Sequence, residues 1–202
     1  MLLVGVSTSQ PIDTKVLFIY RIVVIIGMYQ AIREGQFITY PAMLGVFAMA
    51  LVVVLANVLV QYPLGNWLTW GALVYPVAFL VTDISNRTLG VAQAKQVVLF
   101  GFVTGVICSL VASQLLTVDG DPLTTLRIAL GSGVAFLVAQ LVDVFLFERL
   151  RQGVWWRAPL LSSFLGSALD TIIFFSIAFS ATLYLIDPSD PNGWAQELVP
   201  FL

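Results

Sequence analysis

The stretch IALGSGVAFLVAQLVDVFLF, Ile128–Phe147, runs for 20 residues and holds a single charge, Asp143, and a single amide, Gln140. A helix rising about 1.5 Å per residue crosses a hydrocarbon core of roughly 30 Å in about 20 residues. The stretch therefore reads as a membrane-spanning helix with a carboxylate inside it. Such a group costs roughly 2.5–3.5 kcal/mol on insertion scales, so its default place is a protein-lined site. Outward from this stretch the pattern recurs twice. Asp83 follows the apolar run Leu68–Val81, and Asp170 lies within Leu160–Ile186.

The remainder of the chain agrees. Of 202 residues, 59% are hydrophobic and 10% charged, too few charges to cover a water-soluble domain of this size. The expected fold is an all-α integral membrane protein, a bundle of about six transmembrane helices. The segments are Val16–Ala31, Pro41–Tyr62, Leu68–Val81, Val97–Leu116, Ile128–Phe147 and Leu160–Ile186. The third has only 14 apolar residues and must borrow from Thr82-Asp83-Ile84-Ser85-Asn86 to cross, which puts Asp83 in the membrane.

Several functions are excluded by what is missing. The net charge is −2 with no basic stripe, which argues against nucleic acid as a partner. Histidine is absent and Cys108 is the sole cysteine, so no disulfide and no metal cluster is expected, nor the commonest general base. We expect no catalytic residues, no metal and no cofactor. The N-terminus lacks the pattern of a cleaved signal peptide.

Loop charges predict orientation. Arg33, then Arg87 and Lys95, then Arg149, Arg151 and Arg157 fall on one side, and Lys15 and Arg127 on the other. The richer side is expected inside and both termini outside. Helical rise then places Asp83 about 22 Å below Leu68, Asp143 about 22 Å below Ile128, and Asp170 near mid-membrane. All three are expected to border one cavity in the inner half of the bilayer.

Helical faces carry more. Ser132, Phe136, Gln140 and Asp143 form one polar ridge with an aromatic in it; Ser163, Ser167, Asp170 and Phe174 form another. Carboxylate, amide and aromatic faces suit a planar, nitrogen-rich ring, because a carboxylate accepts two parallel N–H donors and aromatics stack. Plainer readings stand beside this one. Asp83 and Arg87 are spaced for an intrahelical ion pair, and Asp143 can anchor the loop carrying Arg149 and Arg151. Asn57 can bridge helices rather than meet a ligand, and the serines can serve close packing. Gly101-Phe102-Val103-Thr104-Gly105 permits close helix approach, within the bundle or in a homodimer. Pro76 predicts a kink that frees a carbonyl near Ala72.

Three blocks point to a family. The first is Thr69-Trp70-Gly71-Ala72, Pro76 and Thr82 through Gly90. The second runs from Arg127 through Ser132, Gln140, Asp143 and Phe147 to Arg151. The third is Trp155-Trp156-Arg157-Ala158-Pro159 through Ser163, Asp170-Thr171 and Phe174 to Phe179. Together they resemble the queuosine precursor transporter family, also grouped as vitamin-uptake-type transporters. The resemblance implies a multi-pass carrier of the bacterial inner (plasma) membrane for 7-cyano- and 7-aminomethyl-7-deazaguanine, in a fold similar to the substrate-binding components of energy-coupling-factor transporters. It implies residues 1–36 as an additional N-terminal helix and loop, and 37–202 as the transporter bundle. The apolar tail Leu198–Leu202 reads as the start of a span, so the bundle is expected to lack a final helix. The substrate-binding residues expected are Asp170, Asp143, Gln140, Asp83, Asn57 and Phe174. The partners expected are a deazapurine, the lipid bilayer and a second copy of the chain. The alternatives are a carrier of another purine-like or vitamin-like molecule, and a structural membrane protein whose aspartates only pair with arginines.

Overall fold

The computed structural model describes residues 39–66, 68–115 and 124–178. Six helices and one small hairpin follow one another: α1 (Tyr40–Leu59), β1 (Pro63–Leu64), β2 (Leu68–Thr69), α2 (Trp70–Val74), α3 (Pro76–Leu89), α4 (Val91–Ala112), α5 (Leu126–Leu150) and α6 (Arg157–Ala178). The strands are antiparallel, with Pro63 opposite Thr69 and Leu64 opposite Leu68, and the turn opens with Gly65 at φ 71°. The first apolar segment, the 1–36 unit, the last segment beyond Ala178 and the tail Leu198–Leu202 lie outside the described residues.

Among the described residues four helices, α1, α4, α5 and α6, are long and apolar enough to cross a membrane. The described part of the chain is thus all-helical but for the hairpin, with four such spans, where the sequence reading expects about six over the whole chain. The surface is inverted relative to a protein in water. Phe47, Phe164 and Ile172 are 69%, 68% and 63% exposed, while Thr82, Asn86, Gln140, Asp143 and Ser162 are fully buried. Large apolar side chains outside and polar ones inside fit hydrocarbon as the surrounding solvent.

The third apolar segment becomes two helices. Pro76 has no N–H to give the Ala72 carbonyl. The Tyr75 N–H still reaches Gly71 O at 2.9 Å, but Ala78 N closes a tighter bond onto Tyr75 O at 3.0 Å. The helix is therefore interrupted at Tyr75 and resumes as α3. Thr69 caps α2 by accepting from Ala72 N at 3.3 Å.

The turn between α3 and α4 is a single residue, Gly90 at φ 86°, whose N–H returns to Asn86 O at 3.1 Å. The left-handed region suits glycine because it lacks a Cβ. Arg87 sits in the last turn of α3, where the helix dipole favours a cation. The C-termini of α3 and α5 and the N-termini of α4 and α6 thus bring Arg87, Lys95, Arg149, Arg151 and Arg157 to one end of the bundle.

Small residues set the helix spacing. A Cβ on Gly71 would stand 2.7 Å from both Ala56 O and Val60 N, so α2 rests on the backbone of α1. Gly101 lies against Met49 and Phe136, and Gly105 faces Val53. The glycine pair of α4 is therefore used inside the bundle, against α1. Met49, Val53, Val97, Val98, Phe102, Phe136 and Val144 build the core around that contact.

Candidate functional site

A cavity of about 440 Å³ opens among α1, α2, α4, α5 and α6. Its walls include Asn57, Gln61, Thr69, Tyr75, Ser109, Thr124, Ser132, Asp170 and Phe174. The volume lies within the roughly 300–1,000 Å³ that small-molecule sites occupy. A small annex of about 40 Å³ continues behind Tyr75 toward Gly101, Phe102 and Phe136. The cavity is built from the C-terminal ends of α1 and α4 and the N-terminal ends of α2 and α5, the end that the loop charges assign to the outside. The expectation of one cavity in the inner half is corrected accordingly.

At its wall Tyr75 donates its hydroxyl proton to Asp170 Oδ1 at 3.0 Å. This bond joins the interruption of the α2–α3 segment to the middle of α6. Asp170 is half-buried, and its second oxygen remains for a donor from the cavity. Tyr75 is held by edge-on contacts with Phe79 and Phe136, both with ring centroids 6.3 Å apart. Asn57 gives one amide hydrogen to Val53 O at 2.9 Å, leaving the rest of the amide to the cavity. Arg127 is in the first turn of α5 rather than a loop, and its Nε donates to Ile177 O at 3.0 Å. That bond ties α5 to α6 beside the cavity.

Of the six expected site residues, Asp170, Asn57 and Phe174 line this cavity. Asp83, Asp143 and Gln140 do not line it; they are gathered elsewhere, in a buried polar cluster between α3, α5 and α6. Asp83 accepts from Ser162 Oγ at 3.3 Å and from Ser163 Oγ at 2.9 Å. Asp143 lies beside Asp83 and Ser162, yet neither of its oxygens accepts a well-formed hydrogen bond. Gln140 Oε1 accepts from the Thr82 hydroxyl, while its Nε2 has no partner. Asn86 reaches across to Val144 O at 2.9 Å, and its Oδ1 has no partner. The split is one of depth: the α5 ridge meets the cavity at Ser132, and Gln140 and Asp143 lie about two to three turns further along it, between α3 and α6.

The arginine pairings weighed from spacing are also corrected. Arg87 does not meet Asp83; it donates to Trp155 O at 3.0 Å, clamping the α5–α6 loop to the end of α3. Arg151 pairs with Glu148 at 2.8 Å, and Arg149 lies over the Phe145 ring, so neither anchors Asp143. Tyr75 escaped the sequence reading. Its signal was present: a phenol one residue before the kink proline and two turns before Asp83 on the same face.

Thr82→Val would leave Gln140 with neither end satisfied in a dry contact. A buried polar group left unpaired costs about 1–3 kcal/mol. The expected result is a lowered unfolding midpoint of the detergent-purified protein, with Thr82→Ser close to wild type.

Comparison with known proteins places the chain among transporters. A family profile described as "Putative vitamin uptake transporter" matches residues 69–199. A "Probable queuosine precursor transporter" of Haemophilus influenzae is 38% identical over 138 residues, covering 63% of this chain and 57% of that protein. The "Queuosine precursor transporter" of Escherichia coli is 37% identical over 142 residues, 64% of each chain. A "Probable queuosine precursor transporter" of Bacillus subtilis is 29% identical over 128 residues, 55% of this chain and 56% of that one. Each match thus spans less than two thirds of the relative's length. No solved structure matches.

Proposed function

The chain belongs to the vitamin uptake transporter family, and on that premise we propose that it is a carrier for uptake of queuosine precursors, 7-cyano-7-deazaguanine and 7-aminomethyl-7-deazaguanine. The observation that carries the reading is Asp170 on the wall of a cavity of about 440 Å³, oriented by Tyr75. A guanine-like base offers adjacent N–H donors on one edge, which a carboxylate accepts side by side. Phe174 and Tyr75 offer ring surfaces to its flat faces, and Asn57 and Ser132 offer polar contacts to its remaining edge. The cavity opens at the end assigned outside, the face a carrier presents when it accepts a solute for uptake.

In this reading the protein sits in the bacterial inner (plasma) membrane as a six-span bundle. Within it α2 with α3, residues 70–89, supply a broken crossing. A homodimer would meet through lipid-facing side chains such as Phe47 or Phe164, because Gly101 and Gly105 are occupied by α1.

The test is a bacterium unable to synthesise these bases, expressing this chain and fed each base in turn. Queuosine in its tRNA is the expected result, and its absence with both bases overturns the proposal. The family's description favours a second reading, another vitamin-like or purine-like cargo. Displacement of labelled 7-cyano-7-deazaguanine by a panel of bases and vitamins separates the two. Guanine-like compounds should compete and unrelated vitamins should not.

A further inference from the structure

The buried cluster beneath the cavity has a composition that substrate binding leaves unexplained. Asp83 is 4% exposed and Asp143 fully buried, and the two carboxyl groups are neighbours. Among the described residues no basic side chain faces them. On α3, Arg87 is turned to the Trp155 carbonyl. On α5, Arg151 is paired with Glu148 and Arg149 lies over Phe145. On α6, Arg157 lies over Trp156 and Asp170 is bonded to Tyr75 two turns away. On α4, Lys95 is exposed, and α1 presents no charge. Two adjacent carboxylates in a dry interior, without a counter-charge, are strongly unfavourable. Hydrogen bonds from Ser162 and Ser163 serve Asp83, whereas Asp143, with Ser162 and the Asp83 carboxyl beside it, accepts no well-formed bond at either oxygen.

An independent feature points at the same spot. Asn86 is fully buried and reaches α5 at Val144, the residue after Asp143, and its Oδ1 is without a partner. Both oxygens of Asp143 and the Oδ1 of Asn86 are without well-formed donors, even with the unpartnered Gln140 Nε2 in the same cluster, and such oxygens call for something positive among them. Among the described residues no third carboxylate or cysteine joins the group, which leaves a divalent ion short of ligands.

We propose that Asp143, Asp83 and Asn86 form a binding site for one monovalent cation, a proton or a sodium ion, that is linked to the cavity through α3 and α6. The linkage is mechanical. Tyr75 and Asp83 lie eight residues apart on one face, about 12 Å along the helix. Ser162 and Ser163 stand at a similar distance from Asp170 on α6. Each helix thus carries one partner of the Tyr75–Asp170 bond and one partner of the Asp83–serine bonds. Between the two sites Phe79 packs against Gly166, where a Cβ would meet the ring at 2.8 Å and Asp143 Cβ at 3.3 Å. Filling or emptying the carboxylate pair changes how α3 and α6 attract one another. The same contact closes the cavity wall.

The role in coupling rests on the transport reading; the site itself does not. The first experiment therefore needs no substrate. The unfolding midpoint of the purified full chain is measured in sodium chloride against choline chloride, and across pH 5 to 8. A rise of a few degrees with sodium, or with acid, is expected for wild type. The rise should vanish in Asp143→Asn, with Asp83→Asn as a second variant should the first not fold. A wild-type midpoint indifferent to sodium, with an acid response unchanged in both variants, overturns the site. The second experiment uses proteoliposomes and labelled 7-cyano-7-deazaguanine. Stimulation by an imposed pH gradient identifies the proton, and stimulation by a sodium gradient identifies sodium. Exchange of labelled for unlabelled base that neither gradient stimulates overturns the coupling and spares the transport reading. No exchange at all overturns the transport reading, and the coupling with it, while the midpoint measurement still decides the site.

Discussion

Replacing Gly71 by alanine is expected to destabilise the protein by about 3 kcal/mol, the upper part of the range for overpacking a tight contact. The added methyl would stand 2.7 Å from Ala56 O and Val60 N and 2.9 Å from Val60 Cα. All three are backbone atoms, so no side chain can swing aside to make room. Relief requires α2 to lift off α1, and both helices wall the cavity at Ala56, Val60, Gly71 and Ala72. Gly105→Ala provides the contrast. Its methyl would meet only Val53 Cγ1 at 3.5 Å, an ordinary van der Waals distance, so its stability should stay near wild type. Yield and thermal unfolding of the two variants in detergent give the comparison. Equal midpoints would sink the argument that α2 is seated by backbone contact.

Asp170→Asn should reduce uptake of the deazaguanine bases by roughly 10- to 100-fold at low substrate concentration. That corresponds to about 1.5–3 kcal/mol, the worth of hydrogen bonds to a charged group. The amide keeps the size of the carboxylate but offers one acceptor where two parallel N–H donors need two. Tyr75→Phe should cost less, because it removes a single 3.0 Å bond that orients the carboxylate and leaves the acceptor itself intact. Uptake measured against base concentration, with unfolding midpoints as a control for folding, distinguishes these variants. Full uptake by Asp170→Asn would return Asp170 to a structural role.

The extent to which sequence foretold the molecule varies with the kind of information each feature needs. Four spans were legible from length and apolarity alone, and they recur as α1, α4, α5 and α6. The shortness of the third segment and the presence of Pro76 together announced the interrupted crossing. The polar run around Gln93, Lys95 and Gln96 read as a loop, yet it forms the first turns of α4, with both glutamines buried against neighbouring helices. A single glycine proved enough for the turn. Rise per residue gave the depth of each carboxylate, but not how far along the bundle the cavity reaches. Asp83, Asp143 and Asp170 were therefore expected to border one cavity, and of the three only Asp170 lines it. The i, i+4 spacing of Asp83 and Arg87 permitted an ion pair, and only the tertiary position of Trp155 decided against it. Tyr75 could be noticed for its place before Pro76, but its hydroxyl's partner could not be named, because that partner lies 95 residues away.

The interruption at Tyr75 gives one membrane crossing two allegiances. Its outer piece, α2, is seated on α1 by Gly71, while its inner piece, α3, is bound to α6 through Asp83 and the serines. The joint between them is the residue that holds Asp170. Motion of one half of the bundle against the other would thus be absorbed within a span, where a few degrees of bending suffice, and the one-residue turn at Gly90 need not stretch. The chain carries its elbow in the membrane, at the cargo, and keeps its connections short.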